Sequence, residues 1–152
     1  MDDKVLKLYE EWMKAPITDE DLVNDLRSIK GNDEEINDRF YRDLEFGTAG
    51  LRGILGAGTN RMNIYTVARA TRGYAKYLCT LSDDPAIAIA YDSRHKSDVF
   101  AKETARIMAA NGIHVYIWPE LMPTPSLSFA VRYYGCDGGV VITASHNPSK
   151  YN

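Results

Sequence analysis

The sequence contains few cysteines, and none of its apolar runs approaches the length of a membrane-spanning helix. Its two cysteines, Cys79 and Cys136, stand far apart and lack CxxC spacing. This arrangement excludes a disulfide framework and a cysteine-based zinc site, and it predicts two reduced structural thiols. Internal repeats and low-complexity tracts are also absent, which excludes a repeat architecture.

The chain carries no excess of positive charge, since 18 Lys and Arg residues against 21 Asp and Glu residues give a formal net charge of -3. A general attraction to nucleic acid or to an anionic membrane is therefore not expected. Residues 1–4 are acidic and provide neither the basic nor the apolar region of a signal peptide. We expect a cytoplasmic protein that has no nucleic-acid partner and no membrane partner.

The composition is typical of a packed globular domain, with 45% hydrophobic and 26% charged residues. Residues 1–44 are rich in acids, and their apolar residues recur at helical spacing, which predicts a helical N-terminal segment. Thr18, with an acid three positions on, predicts a helix that starts with a capping box, and Asn32 predicts the start of another helix. Residues 45–152 are predicted to form the main domain.

A glycine-rich stretch at residues 46–58 predicts a loop, and beyond it helical and strand patterns alternate. Predicted helices cover residues 63–81, 97–111 and 123–134, predicted strands cover residues 86–90, 113–118 and 138–143, and Gly112 is predicted at the C′ position after the second of these helices. This alternation indicates βαβ units. The predicted fold class is α/β, with a mostly parallel mixed sheet between helices.

The segment TASHNP at residues 143–148 is a small polar turn that directly follows the apolar run at residues 139–142. An apolar run without alternation predicts a buried central strand, and α/β sheets bind ligands beyond the carboxyl ends of such strands. Ser145 is therefore a candidate nucleophile, and the N–H groups of the turn can bind a phosphate. His146 beside it can carry a proton near neutral pH. An ordinary polar turn is the alternative interpretation.

Two arginines lie in polar segments that follow other predicted elements. Arg52 stands between Gly50 and Gly53, where the backbone can approach a ligand closely, and Arg94 follows the strand predicted at residues 86–90. A guanidinium offers paired hydrogen bonds to a phosphate. Both are candidate phosphate-binding residues, although a solvated arginine in a glycine-rich connection is the alternative for Arg52.

Several familiar sites are excluded. Residues 56–61 lack the third glycine of a dinucleotide fingerprint, and no glycine-rich segment leads to Lys-Ser or Lys-Thr as in a P-loop. Ser145 lacks the flanking glycines of a hydrolase elbow, and His146 is too close in sequence to assume the geometry of a catalytic triad. The three histidines have no metal-ligand spacing, so neither a nucleotide cofactor nor a histidine metal site is indicated.

Three segments occur in order: FGTAGLRG at residues 46–53, YDSR at residues 91–94 and TASHNP at residues 143–148. Together they closely resemble the first domain of the α-D-phosphohexomutases. The nearest branch contains the phosphoglucomutase/phosphomannomutase and phosphopentomutase-like enzymes that begin with an extra acidic helical segment. The resemblance implies a phosphoserine enzyme that interconverts hexose 1-phosphate and 6-phosphate through a sugar bisphosphate. The sequence does not determine which sugar is used: we expect glucose, while mannose, glucosamine and pentose phosphates stay open.

The resemblance also implies roles for individual residues. Ser145 matches the serine that carries the phosphoryl group, His146 a neighbouring proton-handling residue and Arg52 an arginine near the phosphoserine. Asn147 matches a position that shapes the turn, and with Arg52 and Arg94 it is a candidate substrate- and phosphate-binding residue. In this family a phosphoserine oxygen and the aspartates of an Asp-Gly-Asp-x-Asp-Arg loop hold Mg²⁺. The implied cofactors are therefore Mg²⁺, with Ser145 as a ligand through its phosphate, and a sugar bisphosphate that serves as activator and intermediate.

The sequence departs from the family pattern at its end. It stops at Tyr151-Asn152, where the family continues through Asn-Gly-x-Lys, and it contains no aspartate loop. Lys150 precedes the place of the family lysine and is not assigned its role. We expect this N-terminal piece, truncated at the phosphoserine loop, to be inactive or barely active without the remaining domains of its parent chain. The alternative is a natural short protein that binds phosphate or sugar phosphate or acts as a regulatory module, and a stop codon directly after Asn152 would favour it.

Overall fold

The computed structural model describes residues 2–48 and 50–152, so Met1 of the acidic amino terminus and Ala49 of the FGTAGLRG segment lie outside the described residues. The chain divides into two compact units. One contains the residues up to Thr66 together with Tyr151, and the other contains Val67–Lys150 together with Asn152. Each unit has its own hydrophobic core, and each is described by itself.

The first unit begins with three helices: α1 (Asp3–Lys14), α2 (Glu20–Ser28) and α3 (Asp33–Phe40). Their apolar faces meet in one core cluster, which confirms the helical N-terminal segment. Leu26, Ile36 and Phe40 are large members of this cluster, and each is 2% exposed. The rings of Tyr9 and Trp12 both pack edge-on against Phe40, at centroid distances of 5.8 and 5.7 Å.

The starts of these helices follow from side-chain caps. Asn32 caps α3 as predicted, because its side chain accepts a hydrogen bond from the N–H of Glu35. The prediction for α2 was wrong by one residue. The N-cap is Asp19 and not Thr18, since the Asp19 carboxylate accepts from the N–H of Asp21. The Asp19 carboxylate caps an N–H two positions ahead, and this turn is tighter than the three-position capping box predicted from Thr18.

The glycine-rich stretch is not loop throughout. Phe46–Gly47 (β1) and Gly50–Leu51 (β2) form a short antiparallel pair, which corrects the prediction of a loop over residues 46–58. Farther along, Asn63 fixes the chain before the next helix. Its side-chain amide donates to the carbonyls of Gly56 and Gly58, and its oxygen accepts from the first turn of α4 (Ile64–Leu81).

The second unit contains β3 (Ala86–Tyr91), α5 (Ser97–Ala110), β4 (His114–Ile117), α6 (Thr124–Tyr133) and β5 (Gly138–Ile142). The three strands are parallel and lie in the order β4-β3-β5. This confirms the α/β class and the parallel sheet. The prediction that residues 139–142 form a buried central strand was wrong, since β5 pairs only with β3 among the described strands and is half-buried. The buried central strand is β3.

The sheet lies between helices, as predicted. On one face, α4 and α5 contribute Leu78 and Met108 to a core with Ile87 and Ile89 of β3, and all four side chains are 0% exposed. The opposite face packs against α6. Two successive glycines of β5 show the two faces of the sheet, because successive residues of a strand point to opposite faces. A Cβ added at Gly138 would lie 3.2 Å from Leu78 of α4, whereas a Cβ added at Gly139 would meet α6.

Two further findings concern the cysteines and the apolar character of the helices. Cys79 and Cys136 are both free thiols, and burial, reinforced by the nearby Asp137 charge, raises the pKa of Cys136. In the described ranges, no helix combines the length and the apolar character needed to cross a lipid bilayer.

The end of α5 is set by Gly112, which occupies the predicted C′ position with a φ of +78. Its N–H donates to the carbonyl of Ala109 and the N–H of Ile113 donates to that of Met108, at 3.0 and 3.2 Å. These are the two hydrogen bonds of a Schellman motif. Only glycine adopts this backbone conformation without strain.

Two glycine substitutions should therefore have opposite effects. Gly112→Ala should lower the free energy of unfolding by about 1 kcal/mol, because alanine is strained at positive φ. Gly73→Ala should raise it by about 0.5–1 kcal/mol, because Gly73 is an exposed position inside α4 where an added Cβ meets nothing within 4 Å. Urea denaturation of both variants beside the unsubstituted chain measures the difference. If both substitutions changed the free energy of unfolding in the same direction, the assigned backbone conformations would be contradicted.

Candidate functional site

Two polar segments meet because neighbouring parallel strands end at the same edge of a sheet. The register pairs Tyr91 of β3 with Ile142 of β5, and the N–H of Asp92 continues the ladder by donating to the carbonyl of Ile142 at 3.1 Å. Asp92 and Thr143 are the next residues on the two strands. The YDSR and TASHNP segments therefore lie side by side.

The turn after β5 presents Ser145 to solvent. Ser145 has a φ of 52, and it is one of two described non-glycine residues with positive φ. The other is Lys96, in the loop after β3. The N–H of Ser145 donates to Thr143 Oγ1 at 3.0 Å, which closes a tight turn. Left-handed backbone at a serine is uncommon and persists where surrounding contacts hold it, as they do at functional sites.

The neighbours of Ser145 complete the turn. Ser145 Oγ lies 3.2 Å from His146 Nδ1, within hydrogen-bond distance, and both side chains are exposed. Asn147 donates twice to the carbonyl of Ala144, from its backbone N–H at 3.0 Å and from its side-chain Nδ2 at 2.9 Å. Asn147 therefore closes the far side of the turn.

Arg94 approaches the turn from the loop after β3. Its Nη2 donates to the backbone carbonyl of Ser145 at 2.5 Å, and its own N–H donates to Asp92 Oδ1 at 2.9 Å. Asp92 Oδ1 also accepts from Ser97 Oγ at 3.0 Å, and Asp92 Oδ2 accepts from Thr143 Oγ1 at 2.5 Å. The guanidinium of Arg94 thus touches the main chain of the candidate nucleophile.

The structure brings four of the five candidate residues together in the second unit: Arg94, Ser145, His146 and Asn147. Arg52 belongs to the first unit, where its side chain is exposed directly after β2. The glycine that follows it has a packing reason, because a Cβ at Gly53 would lie 2.9 Å from Leu44 Cδ1. The backbone at Gly53 therefore closely approaches the Leu44 side chain, whereas the sequence predicted a close approach to a ligand.

Four residues of this network had no role in the sequence analysis: Asp92, Ser97, Thr143 and Asn152. Asn152 is 3% exposed, and its Nδ2 donates to Ser97 Oγ at 2.9 Å and to the carbonyl of His95 at 3.0 Å. The available signal was an Asp and a Thr near the carboxyl ends of two predicted strands. Their pairing depends on the register, which the sequence does not state.

The site offers few side chains that could act as ligands of a divalent cation. In the part of the chain that the structure describes, no group of three or more His, Cys, Asp and Glu side chains is arranged to hold a metal ion. Both oxygens of Asp92, the carboxylate nearest the turn along the ladder, accept hydrogen bonds from this loop network. The described residues by themselves therefore do not form a complete Mg²⁺ site, because Mg²⁺ prefers several oxygen ligands.

Fold and site together define an α/β protein that presents an exposed, backbone-constrained serine at the carboxyl edge of a parallel sheet. Residues 43–152 match the family described as phosphoglucomutase/phosphomannomutase, alpha/beta/alpha domain I. The chain belongs to this family, and it represents the N-terminal domain.

Individual proteins that are similar to this chain support the same family assignment. The chain is 44% identical over 136 residues to a phosphoglucomutase of Staphylococcus epidermidis, which covers 90% of this chain and 25% of that protein. It is 40% identical over 157 residues to a "probable phosphoribomutase" of Schizosaccharomyces pombe, covering 100% of this chain and 27% of that one. A crystal structure of a "putative phosphomannomutase" from Thermus thermophilus matches with a TM-score of 0.67 and 33% identity, over 72% of this chain and 24% of that chain. The chain thus spans about a quarter of the length of these relatives.

Proposed function

We propose that this chain is the phosphoserine domain of a phosphosugar mutase and that Ser145 is its phosphoryl carrier. The observation that carries the proposal is the presentation of Ser145, which is exposed, held at a φ of 52 and within 3.2 Å of an imidazole nitrogen. Family membership supports it, since the matched relatives include a phosphoglucomutase. The boundary between residues 44 and 45 stays a prediction.

The proposed reaction has two transfers. A hydroxyl oxygen of a sugar monophosphate attacks the phosphorus on Ser145, the bond between phosphorus and Oγ breaks, and a sugar bisphosphate forms. After the bisphosphate reorients, Ser145 Oγ attacks its other phosphoryl group and releases the isomeric monophosphate. We propose hexose 1-phosphate and 6-phosphate as the pair, with glucose as the sugar. The name of the Schizosaccharomyces pombe relative keeps a pentose phosphate as the alternative.

The residues around Ser145 suit these steps. His146 Nδ1 can accept the proton of the Ser145 hydroxyl as Oγ attacks and return it in the reverse transfer. Phosphoryl transfer requires positioning and neutralisation of charge above all. Arg94, whose Nη2 already contacts the turn, is proposed to contribute positive charge to it, and Arg52 is proposed as a second phosphate-binding residue. Asn147 shapes the turn through Ala144.

Mg²⁺ is the proposed cofactor, and a sugar bisphosphate is the proposed activator and intermediate. Mg²⁺ would neutralise charge on the phosphoryl oxygens when bound. A phosphate on Ser145 would supply one oxygen ligand, and water molecules together with residues outside this chain would supply the others, because Mg²⁺ prefers several oxygen ligands. For the same reason we expect the 152 residues alone to show no mutase turnover, with the missing groups supplied by the remaining domains of a parent chain.

The proposal is tested by phosphoryl labelling of the complete gene product that contains these 152 residues. The protein is incubated with glucose 1,6-bisphosphate and Mg²⁺ and analysed by intact mass and peptide mapping. We expect one phosphoryl group per chain, located at Ser145. Reversible binding of the bisphosphate without any covalent label would overturn the proposal and favour a stand-alone binding module. Parallel incubations with mannose and pentose bisphosphates compare the sugars.

A further inference from the structure

The hydroxyl of Thr143 lies between a carboxylate and the main chain of Ser145. It is 2.5 Å from Asp92 Oδ2 and 3.0 Å from the N–H of Ser145. An ionised carboxylate only accepts hydrogen bonds, so the Thr143 proton must point toward Asp92. The lone pairs of the hydroxyl are then directed to the Ser145 N–H. The charge on Asp92 therefore sets the direction of both hydrogen bonds.

The second oxygen of Asp92 reaches the other end of the same residue. Oδ1 accepts from the N–H of Arg94, and Arg94 Nη2 donates to the carbonyl of Ser145. The two branches form a closed ring, in which Asp92 holds the N–H of Ser145 through Thr143 and its carbonyl through Arg94. Both backbone groups of a residue in left-handed conformation are thereby linked to one carboxylate, the carbonyl through the whole side chain of Arg94.

We propose that Asp92 is a positioning residue for phosphoryl transfer at Ser145, acting through Thr143 and Arg94 and not by contact with the reacting atoms. The inference rests on the proposed function of Ser145. A hydroxyl nucleophile displaced by a fraction of an ångström loses alignment with the phosphorus, and such misplacement lowers the rate of the chemical step. Loss of the ring should therefore lower kcat for labelling more than it raises KM.

Substitutions separate the ring from the rest of the network. Asp92→Asn leaves one acceptor oxygen, which cannot serve both branches. Thr143→Val removes the hydroxyl at nearly constant shape, and Thr143→Ser restores it. Ser97→Ala is the matched control, because Ser97 also donates to Asp92 Oδ1 but lies outside the ring.

The closing experiment measures two quantities in the complete gene product carrying selective ¹⁵N-serine labels. The first is hydrogen exchange of the Ser145 amide, assigned by its absence in Ser145→Ala. The second is the rate of Ser145 labelling by glucose 1,6-bisphosphate. Asp92→Asn and Thr143→Val should each accelerate exchange and lower kcat by about tenfold, the factor that corresponds to one hydrogen bond. Thr143→Ser and Ser97→Ala should stay within about threefold of the unsubstituted protein.

Each result decides a separate question. Unchanged Ser145 exchange and labelling in Asp92→Asn or in Thr143→Val would overturn the positioning role, and so would failure of Thr143→Ser to restore them. The Thr143 pair keeps the test valid if Asp92→Asn does not fold. Absence of label in the unsubstituted protein would instead contradict the proposed function, while the exchange data would still report whether the ring holds Ser145.

Discussion

A Ser145→Ala variant of the complete gene product should take up no phosphoryl group from glucose 1,6-bisphosphate and should lose mutase turnover entirely. Alanine has no oxygen to form the bond to phosphorus, so the loss is chemical and not conformational. The fold should be nearly unchanged, because the side chain is exposed and Ala retains the Cβ. Ser149→Ala is the matched control, since Ser149 is an exposed serine in the same loop. It should label normally.

Ser145→Gly sharpens this experiment. It should also take up no label, yet it should be more stable than Ser145→Ala by about 1 kcal/mol, because glycine has no strain at a φ of 52. Intact mass measures the label and urea denaturation measures stability. Full turnover in Ser145→Ala would refute the assignment of the phosphoryl carrier. Equal stability of the two variants would refute the left-handed backbone.

Ile89→Ala should lower the free energy of unfolding of the second unit by about 3 kcal/mol. Ile89 lies in the central strand and is 0% exposed, so its loss leaves a cavity in the core against α4 and α5. The control is its register partner Ile117, which lies on β4 and is 37% exposed. Ile117→Ala should cost about 1 kcal/mol or less.

Urea denaturation of the two isoleucine variants, followed by far-UV circular dichroism, measures both values. The substitutions remove the same atoms from facing positions of one parallel ladder, so their difference isolates burial. Similar losses in both variants would mean that β3 is not the buried centre of the sheet. Ile89→Ala should also disturb the candidate site around Ser145, because Asp92 directly follows β3.

Much of the fold could be predicted from the sequence because its signals are local. The apolar run that became β3 and the helix ended by Gly112 depend on a few neighbouring residues. The Asn32 cap was recognised for the same reason. Thr18 failed as a cap because two adjacent residues could serve and the carboxylate of Asp19 reached the free N–H.

The rest depends on contacts between distant residues. The β1–β2 pair was missed because glycines normally weaken strands, and its two-residue length gives no periodicity. The apolar run of β5 predicted a central strand, but an edge strand covered by α4 and α6 has the same composition. Ser145 and Arg94 were recognised as candidates from residue types, whereas the role of Asp92 needed the register of β3 against β5.

The ring around Ser145 also has a consequence for folding kinetics. Asp92 and Thr143 are 51 positions apart, whereas the hydrogen bonds inside α5 join residues of adjacent turns. Closing a long loop costs more entropy than closing a short one, and distant pairings slow the search for the native state. We therefore expect the helices, whose contacts are local, to form before β3 meets β5. A chain that has not yet paired β3 with β5 therefore holds Ser145 without its ring.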